Sequence, residues 1–206
     1  MAGELGEGFY RSVRGRRMVR DFEPSAVDPG VLERVLETAG RAPSAGNSQG
    51  LDLVVLQGEE TERYWSVTFP EAGVRARFRW QGLFRAPVLV VAVTSPEAYV
   101  ARYAEPDKVA VATGLGGSVD AWSVPYWWVD AGMAVENLLL AAVAEGLGAC
   151  FFGLFDHEAA VLAVLGVPAG HRAVGTIALG RGRADQPGRS VQRERRPNLH
   201  WTAWSR

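Results

Sequence analysis

Between Trp128 and Glu145 the chain is apolar on nearly every helical face, with Asp130, Glu136 and Asn137 as the polar breaks before Glu145. A helix of this kind cannot lie on a wet surface; neighbouring elements or a partner subunit must enclose it. That requirement sets the scale of the fold, and a chain of 206 residues, 48% of them hydrophobic, is long enough to supply the enclosure within one domain spanning 1–206. The charged residues argue against a membrane span, since the surrounding segment Trp127 to Leu147 carries Asp130, Glu136 and Glu145 as well as Asn137.

The second strong signal is Val88-Leu89-Val90-Val91-Ala92-Val93 after Pro87. A continuous apolar run of that length predicts a strand covered on both faces, hence central in a sheet. Leu51–Leu56, Ala149–Phe152 and Ala173–Leu179 read as further strands. Phe9–Gly15 predicts a short helix. Asp28 caps another with Pro29 in its first turn, its apolar residues Val31, Leu32, Val35, Leu36 and Ala39 recurring at helical spacing up to Gly40. Glu59–Arg63 starts a helix, and Asp156 is expected to cap one running through Leu165. Two segments are harder to read. Tyr64–Arg85 mixes six aromatic residues with four arginines and suits either a flap over a pocket or ordinary helix surface, while Ser95–Tyr126 reads as a flexible connection or lid. The glycines of Thr113-Gly114-Leu115-Gly116-Gly117 do not make a phosphate loop, for no Gly-x-Gly-x-x-Gly or Gly-Lys-Ser/Thr pattern follows a strand there.

Two stretches carry chemistry. Arg41-Ala-Pro-Ser-Ala-Gly-Asn-Ser-Gln49 sits where helix gives way to strand, and presents hydroxyls, amides and unhindered N–H groups; it is either a ligand loop or a turn with local side-chain bonds. Arg16-Arg-Met-Val-Arg-Asp-Phe22 crowds three guanidinium groups, which makes it either a solvated basic loop or an anion site. The one cysteine, Cys150, excludes an intrachain disulfide and fits a reducing cytoplasm. The N-terminus lacks the basic and apolar regions of a signal peptide. His157, His171 and His200 show no metal-ligand spacing, and the near-neutral charge of −1 argues against a nucleic-acid role for the arginines of 181–196. The tail carrying Trp201 and Trp204 is either disordered or docked on another surface, and its two tryptophans favour docking.

Taken together and in order, these stretches resemble the FMN-dependent nitroreductase family. Its opening Arg-Arg-Ser-x-Arg-x-Phe motif stands here as Arg16–Phe22, and its Pro-Ser-x-x-Asn-x-Gln-Pro-Trp as Pro43–Leu51. The Asp-Ala-Gly-x-Ala-x-x-Asn-Leu-Leu-Leu-Ala-Ala helix is Asp130–Ala142, leading into Phe151-Phe152-Gly153-Leu154, and the closing Lys/Arg-x-Arg-Arg-Pro is Arg193–Pro197. The departures are Met18 in place of serine and Gly50-Leu51 in place of Pro-Trp.

The resemblance implies an α+β nitroreductase-like fold, a central mixed β-sheet flanked by helices, in an intertwined homodimer. It also implies FMN held by Arg16, Arg17, Met18, Arg193 and Arg195 around the phosphate and ribityl chain, with Arg20 near flavin N1 and O2. Pro43, Ser44, Ala45 and Asn47 would meet the ring from the second subunit, and Phe152, Gly153 and Leu154 would flank its edge and N5. The activity implied is hydride transfer from NADH or NADPH to the flavin and on to a nitroaromatic, quinone or related small molecule by a ping-pong route, with no protein group acting as covalent or acid–base catalyst. A flavin-sequestering protein, or a flavin-dependent oxidase of one metabolite, is the alternative.

Overall fold

A computed structural model describes residues 2–110, 114–183 and 200–202. Its centre is a four-stranded sheet of β1 (Leu51–Gln57), β2 (Val88–Thr94), β3 (Gly148–Phe152) and β4 (Arg172–Gly180), in the order β1-β2-β4-β3. Every pairing among these strands is antiparallel. The parallel component expected of a mixed sheet is confined to one bridge, Met18 to Ala149, because the chain passes the edge of β3 as a strap and not as a full strand.

The alternation of side chains along β2 divides the core. Leu89, Val91 and Val93 point to one face, where α3 (Thr61–Thr68) and α8 (Glu158–Val164) contribute Tyr64, Trp65 and Val161. Val88, Val90 and Ala92 point to the other, under α2 (Pro29–Glu37) and the long α7 (Tyr126–Ala144), which contribute Val35, Leu138 and Ala142. All seven residues of β2 are buried, as a central strand covered on both faces requires. By length and composition alone α7 would suit a membrane span, yet its Ala131, Leu138 and Ala142 are at most 1% exposed within the core. One stripe of α7 stays open: Tyr126, Val129 and Met133 are each more than a third exposed, as are Phe9, Tyr10 and Val13 on α1 (Ala2–Gly15).

The remaining expectations need adjustment. The Asp28 cap holds, its carboxylate accepting from Val31 N at 3.0 Å, but α2 ends at Glu37. There the Thr38 hydroxyl turns back onto Val35 O at 2.6 Å, and a 3₁₀ turn over Ala39–Arg41 carries the chain onward. Asp156 does not cap α8. A 3₁₀ turn over Phe155–His157 intervenes, and the carboxylate at the helix start, Glu158, binds Arg172 Nε at 2.8 Å and Ala173 N at 2.9 Å. The 95–126 segment, apart from 111–113, which lie outside the described residues, is a packed unit and not a loose lid. It holds α5 (Pro96–Tyr103) and α6 (Pro106–Val109), and its Tyr99 and Trp122 form a core cluster with Trp127 of α7. Tyr64–Arg85 resolves into the rest of α3, α4 (Ala72–Arg77) and a 3₁₀ turn over Gln81–Arg85. Arg193, Arg195 and Trp204 lie outside the described residues, and Trp201 is 85% exposed.

Candidate functional site

The strap from Arg16 to Glu23 is tied to the sheet along its length. Val19 N donates to Ala149 O at 2.8 Å, Arg183 N to Asp21 O at 2.9 Å and Glu23 N to Arg181 O at 2.9 Å. From the other side Gly82 presses so closely that a Cβ there would lie 2.4 Å from Asp21 Cα and 2.5 Å from Arg20 O. Asp21 is ion-paired to Arg85. Arg16 pairs with Glu136 of α7 at 3.2 Å, and Arg17 is exposed. Met18, standing where the motif has serine, receives the Phe151 N–H on its sulfur at 3.3 Å, so the thioether takes up a hydrogen bond to β3. Arg20 donates to Met18 O at 3.1 Å and stacks over the Trp80 ring at 5.0 Å. These contacts aim its cationic end toward the turn after β3.

Arg20 and that turn, Phe152-Gly153-Leu154, line one cavity of about 500 Å³. Its walls are aromatic, with Trp65, Phe69 and Trp80 among them, so the 64–85 segment does form one side of a pocket. Gly153 leaves the backbone face of the turn accessible: the nearest atom to an added Cβ is a Phe155 ring carbon at 3.8 Å. Phe155 has φ of 49° and is 86% exposed, an aromatic held in the left-handed region at the rim. Behind it, Thr176 donates its hydroxyl proton to the Tyr64 oxygen at 3.0 Å, and burial pushes the Tyr64 phenol up to about 12. Cys150 and His157 also line this cavity, where neither was expected, and His157 does not cap α8 through its side chain.

The 43–49 loop lies elsewhere in the chain. Pro43 and Ser44 line a separate cavity of about 310 Å³ with Tyr99 and Asp130. Its backbone is unusual: Gly46, Asn47 and Gln49 all have positive φ, at 62°, 58° and 50°. Local bonds hold part of this shape, with Gln49 N donating to Ser44 Oγ at 3.1 Å and Asn47 N to Ser44 O at 2.8 Å. The rest comes from outside the loop. Asp130, 6% exposed on α7, accepts from Ala45 N at 2.8 Å and from the Tyr99 hydroxyl at 2.9 Å. Burial first, and then the Asp130 hydrogen bond, hold the Tyr99 phenol well above the usual tyrosine range. Arg102 Nε donates to Gly46 O at 2.8 Å while Asp107 grips the same guanidinium through two 2.8 Å bonds. An added Cβ at Gly46 would lie 2.7 Å from the Tyr103 ring, and one at Gly50 would lie 2.7 Å from the Tyr99 ring. The second distance explains why glycine and not proline follows Gln49.

Within one chain, then, Arg20 and residues 152–154 come together and Met18 supports them from behind β3, whereas Pro43, Ser44, Ala45 and Asn47 form a second, separately clamped surface. Arg193 and Arg195 lie outside the described residues. Tyr99, Arg102 and Asp130 were missed as site-shaping residues. The available signal was Asp130 itself, a carboxylate in an otherwise apolar helix, which is rarely buried without a partner. Among the described residues no three His, Cys, Asp or Glu side chains converge as a metal-binding group.

Comparison with known proteins bears on family and fold. The chain is 30% identical over 209 residues to a 5,6-dimethylbenzimidazole synthase of Rhodospirillum rubrum, covering 93% of this chain and 92% of that one. It is also 30% identical over 224 residues to a 4-nitrobenzoate reductase of Nocardioides sp., covering 93% and 87%. The solved structure of B. megaterium NfrA2 superposes with a TM-score of 0.72 at 18% identity, over 96% of this chain and 75% of that one, which bears on the fold alone. The model of the Nitroreductase family matches residues 13–181, and the chain therefore belongs to that family of oxidoreductases and has its α+β fold.

Proposed function

We propose that the protein is an FMN-dependent oxidoreductase that takes hydride from NADH or NADPH and passes electrons to a nitroaromatic, quinone or related small acceptor, working as a homodimer in the cytoplasm. The observation that supports this best is the meeting of Arg20 with the Phe152–Leu154 turn at one cavity. A cation beside an open backbone turn suits a flat, electron-accepting ring whose reduced form is anionic. The local chemistry fits the group. Arg16 and Arg17 stand at the start of the strap as the phosphate partners of this reading, which also gives Arg193 and Arg195, outside the described residues, to the phosphate. The open face of Gly153 lets a ring edge approach the main chain, and Phe152 and Leu154 flank it. The exposed apolar stripes on α1 and α7 favour burial against a second copy, whose Pro43, Ser44, Ala45 and Asn47 would approach the same ring.

When bound, FMN supplies the hydride and electron chemistry, which is why ping-pong kinetics are expected. The chain's own residues bind and orient. The arginine pair anchors the phosphate, Arg20 stabilises negative charge on the reduced ring, and the aromatic walls exclude water. Steady-state oxidation of NADH and NADPH against a panel of nitroaromatics and quinones tests the proposal, with parallel double-reciprocal lines the expected result. The identity to the R. rubrum synthase favours a second reading, a flavin protein acting on one dedicated metabolite. A flavin-loaded protein that consumes no NAD(P)H with any acceptor would select it.

A further inference from the structure

Each acceptor named above takes up one proton for every hydride it receives. A quinone plus a hydride and a proton becomes a hydroquinone, and a nitroarene plus a hydride and a proton becomes a nitrosoarene and water. The reduced cofactor supplies the hydride, but between aromatic walls the proton needs a source of its own. Most polar groups on the lining are poor sources. Arg20 is a guanidinium, which does not release its proton in a protein. Burial pushes the Tyr64 phenol up to about 12, and its oxygen already accepts from Thr176. Cys150 is 2% exposed within β3, and Glu71 is an exposed carboxylate. His157 remains. Its backbone N–H donates to Leu154 O at 3.0 Å, and the bend at Phe155, with φ of 49°, returns the chain so that His157 lines the same cavity as the Phe152–Leu154 turn. The imidazole is half-buried and makes no hydrogen bond or ion pair among the described residues. Its charged neighbours are engaged or open to water: Glu158 is held by Arg172, Arg63 of α3 donates to Val164 O at the far end of α8, and Asp156 is exposed. Imidazole is the side chain best suited to exchanging protons near neutral pH.

We propose that His157 is the general acid for the electron acceptor, its imidazolium N–H giving a proton to the acceptor oxygen as the hydride arrives. The neutral imidazole then regains a proton from solvent, which its half-buried position allows. This role rests on the flavin oxidoreductase reading above, and it adds an acid–base group where the family resemblance implies none. Passage of hydride from NADH or NADPH to the cofactor draws no proton from the wall, so His157 acts on one half-reaction only.

Stopped-flow absorbance of the flavin-loaded protein separates the two halves: bleaching of the flavin band by NADH or NADPH, and its return on mixing with menadione, a quinone with no titrating group. In wild type the return should be fastest at low pH, slow as pH rises through the range in which imidazole loses its proton, and show a solvent deuterium isotope effect. His157→Gln should slow the return on the order of 10²-fold, the low end for a positioned acid. It should also flatten the pH dependence and remove the isotope effect, while bleaching keeps its wild-type rate. Free imidazole added to His157→Ala should restore part of the lost rate. A readout independent of turnover is NMR of the histidine ring nitrogens in the oxidised protein, where nitrobenzene added without reductant should move the His157 signals and leave those of His171 in place. The wild-type profile and this titration carry the test even where a variant folds poorly. A flat wild-type profile, an unaltered return in His157→Gln, or a His157 signal indifferent to nitrobenzene overturns the proposal. So does a pH slope that survives in His157→Gln and disappears in Glu71→Gln. Failure of both nicotinamides to bleach the flavin would sink the function proposed above and this role with it; normal bleaching with a return independent of His157 would sink this role alone.

Discussion

Replacing Asp130 by alanine tests how the 43–49 loop is held. The Asp130 carboxylate accepts two hydrogen bonds, from Ala45 N at 2.8 Å and from the Tyr99 hydroxyl at 2.9 Å, in a position 6% exposed. Truncation leaves a backbone N–H and a phenol without an acceptor, at ~1–3 kcal/mol each, so ~2–6 kcal/mol in all. At ~2–4 °C per kcal/mol for a chain of this size, the melting temperature falls by roughly 5–20 °C. Asp130→Asn keeps an oxygen in place and should recover most of the loss. Tyr99→Phe removes one bond to a charged acceptor and should cost ~1.5–3 kcal/mol. Because the two side chains share that bond, the double variant should lose less than the sum of the singles by about 1.5 kcal/mol. Thermal melts followed by circular dichroism give the stabilities, and hydrogen exchange of the peptide spanning Pro43–Gln49 should speed up in Asp130→Ala before global unfolding. Strict additivity, or loop exchange unchanged in Asp130→Ala, would refute the idea that α7 and α5 hold the loop through this carboxylate.

Three further outcomes follow from named contacts. Arg16→Ala should lower flavin affinity by roughly 1.5–3 kcal/mol if it meets phosphate, whereas Arg20→Ala should retain flavin but lower its midpoint potential; equal loss of binding with unchanged potential would move Arg20 to the phosphate. Gly82→Ala inserts a methyl 2.4 Å from Asp21 Cα, and overpacking of that kind costs ~1–3 kcal/mol, read as a lower melting temperature and displaced strap. The Tyr64 phenol is pushed up to about 12 by burial, so the stability it contributes is whole below the ordinary value of 10.0 and is lost as pH rises from there toward 12. Tyr64→Phe should therefore lose less stability than wild type between those pH values in reversible denaturant melts, and identical slopes would show that the phenol is not buried as described.

The core of the fold was legible because its signals are local. A run of six apolar residues has only one place in an α+β domain, and the Asp28 cap needs nothing beyond Val31 N three residues away. The strap was legible as a cluster of arginines, and Arg20 does reach the cavity. What escaped reading depends on partners far along the chain. Asp130 looked like an interruption of α7 until Ala45 and Tyr99 came to it from 85 and 31 residues away. The 95–126 segment seemed loose because it packs through Tyr99 and Trp122 against Trp127 of α7, at an irregular spacing that no helical or strand period announces. Asp156 carried the composition of a helix cap, but Phe155 at positive φ starts a tighter turn there and shifts the helix start to Glu158. The strap's single parallel bridge could not be told from a sheet strand without knowing how β3 meets Val19.

The central claim, that this chain uses a flavin to move electrons from a reduced nicotinamide, is tested most directly by recording the visible spectrum of the purified protein anaerobically before and after adding NADH or NADPH. The account predicts a yellow protein whose flavin band bleaches on addition and returns when a quinone or nitroaromatic is supplied, with heat releasing FMN. A protein that takes up no flavin on reconstitution, that releases FAD, or whose bound flavin is left oxidised by both nicotinamides would contradict it.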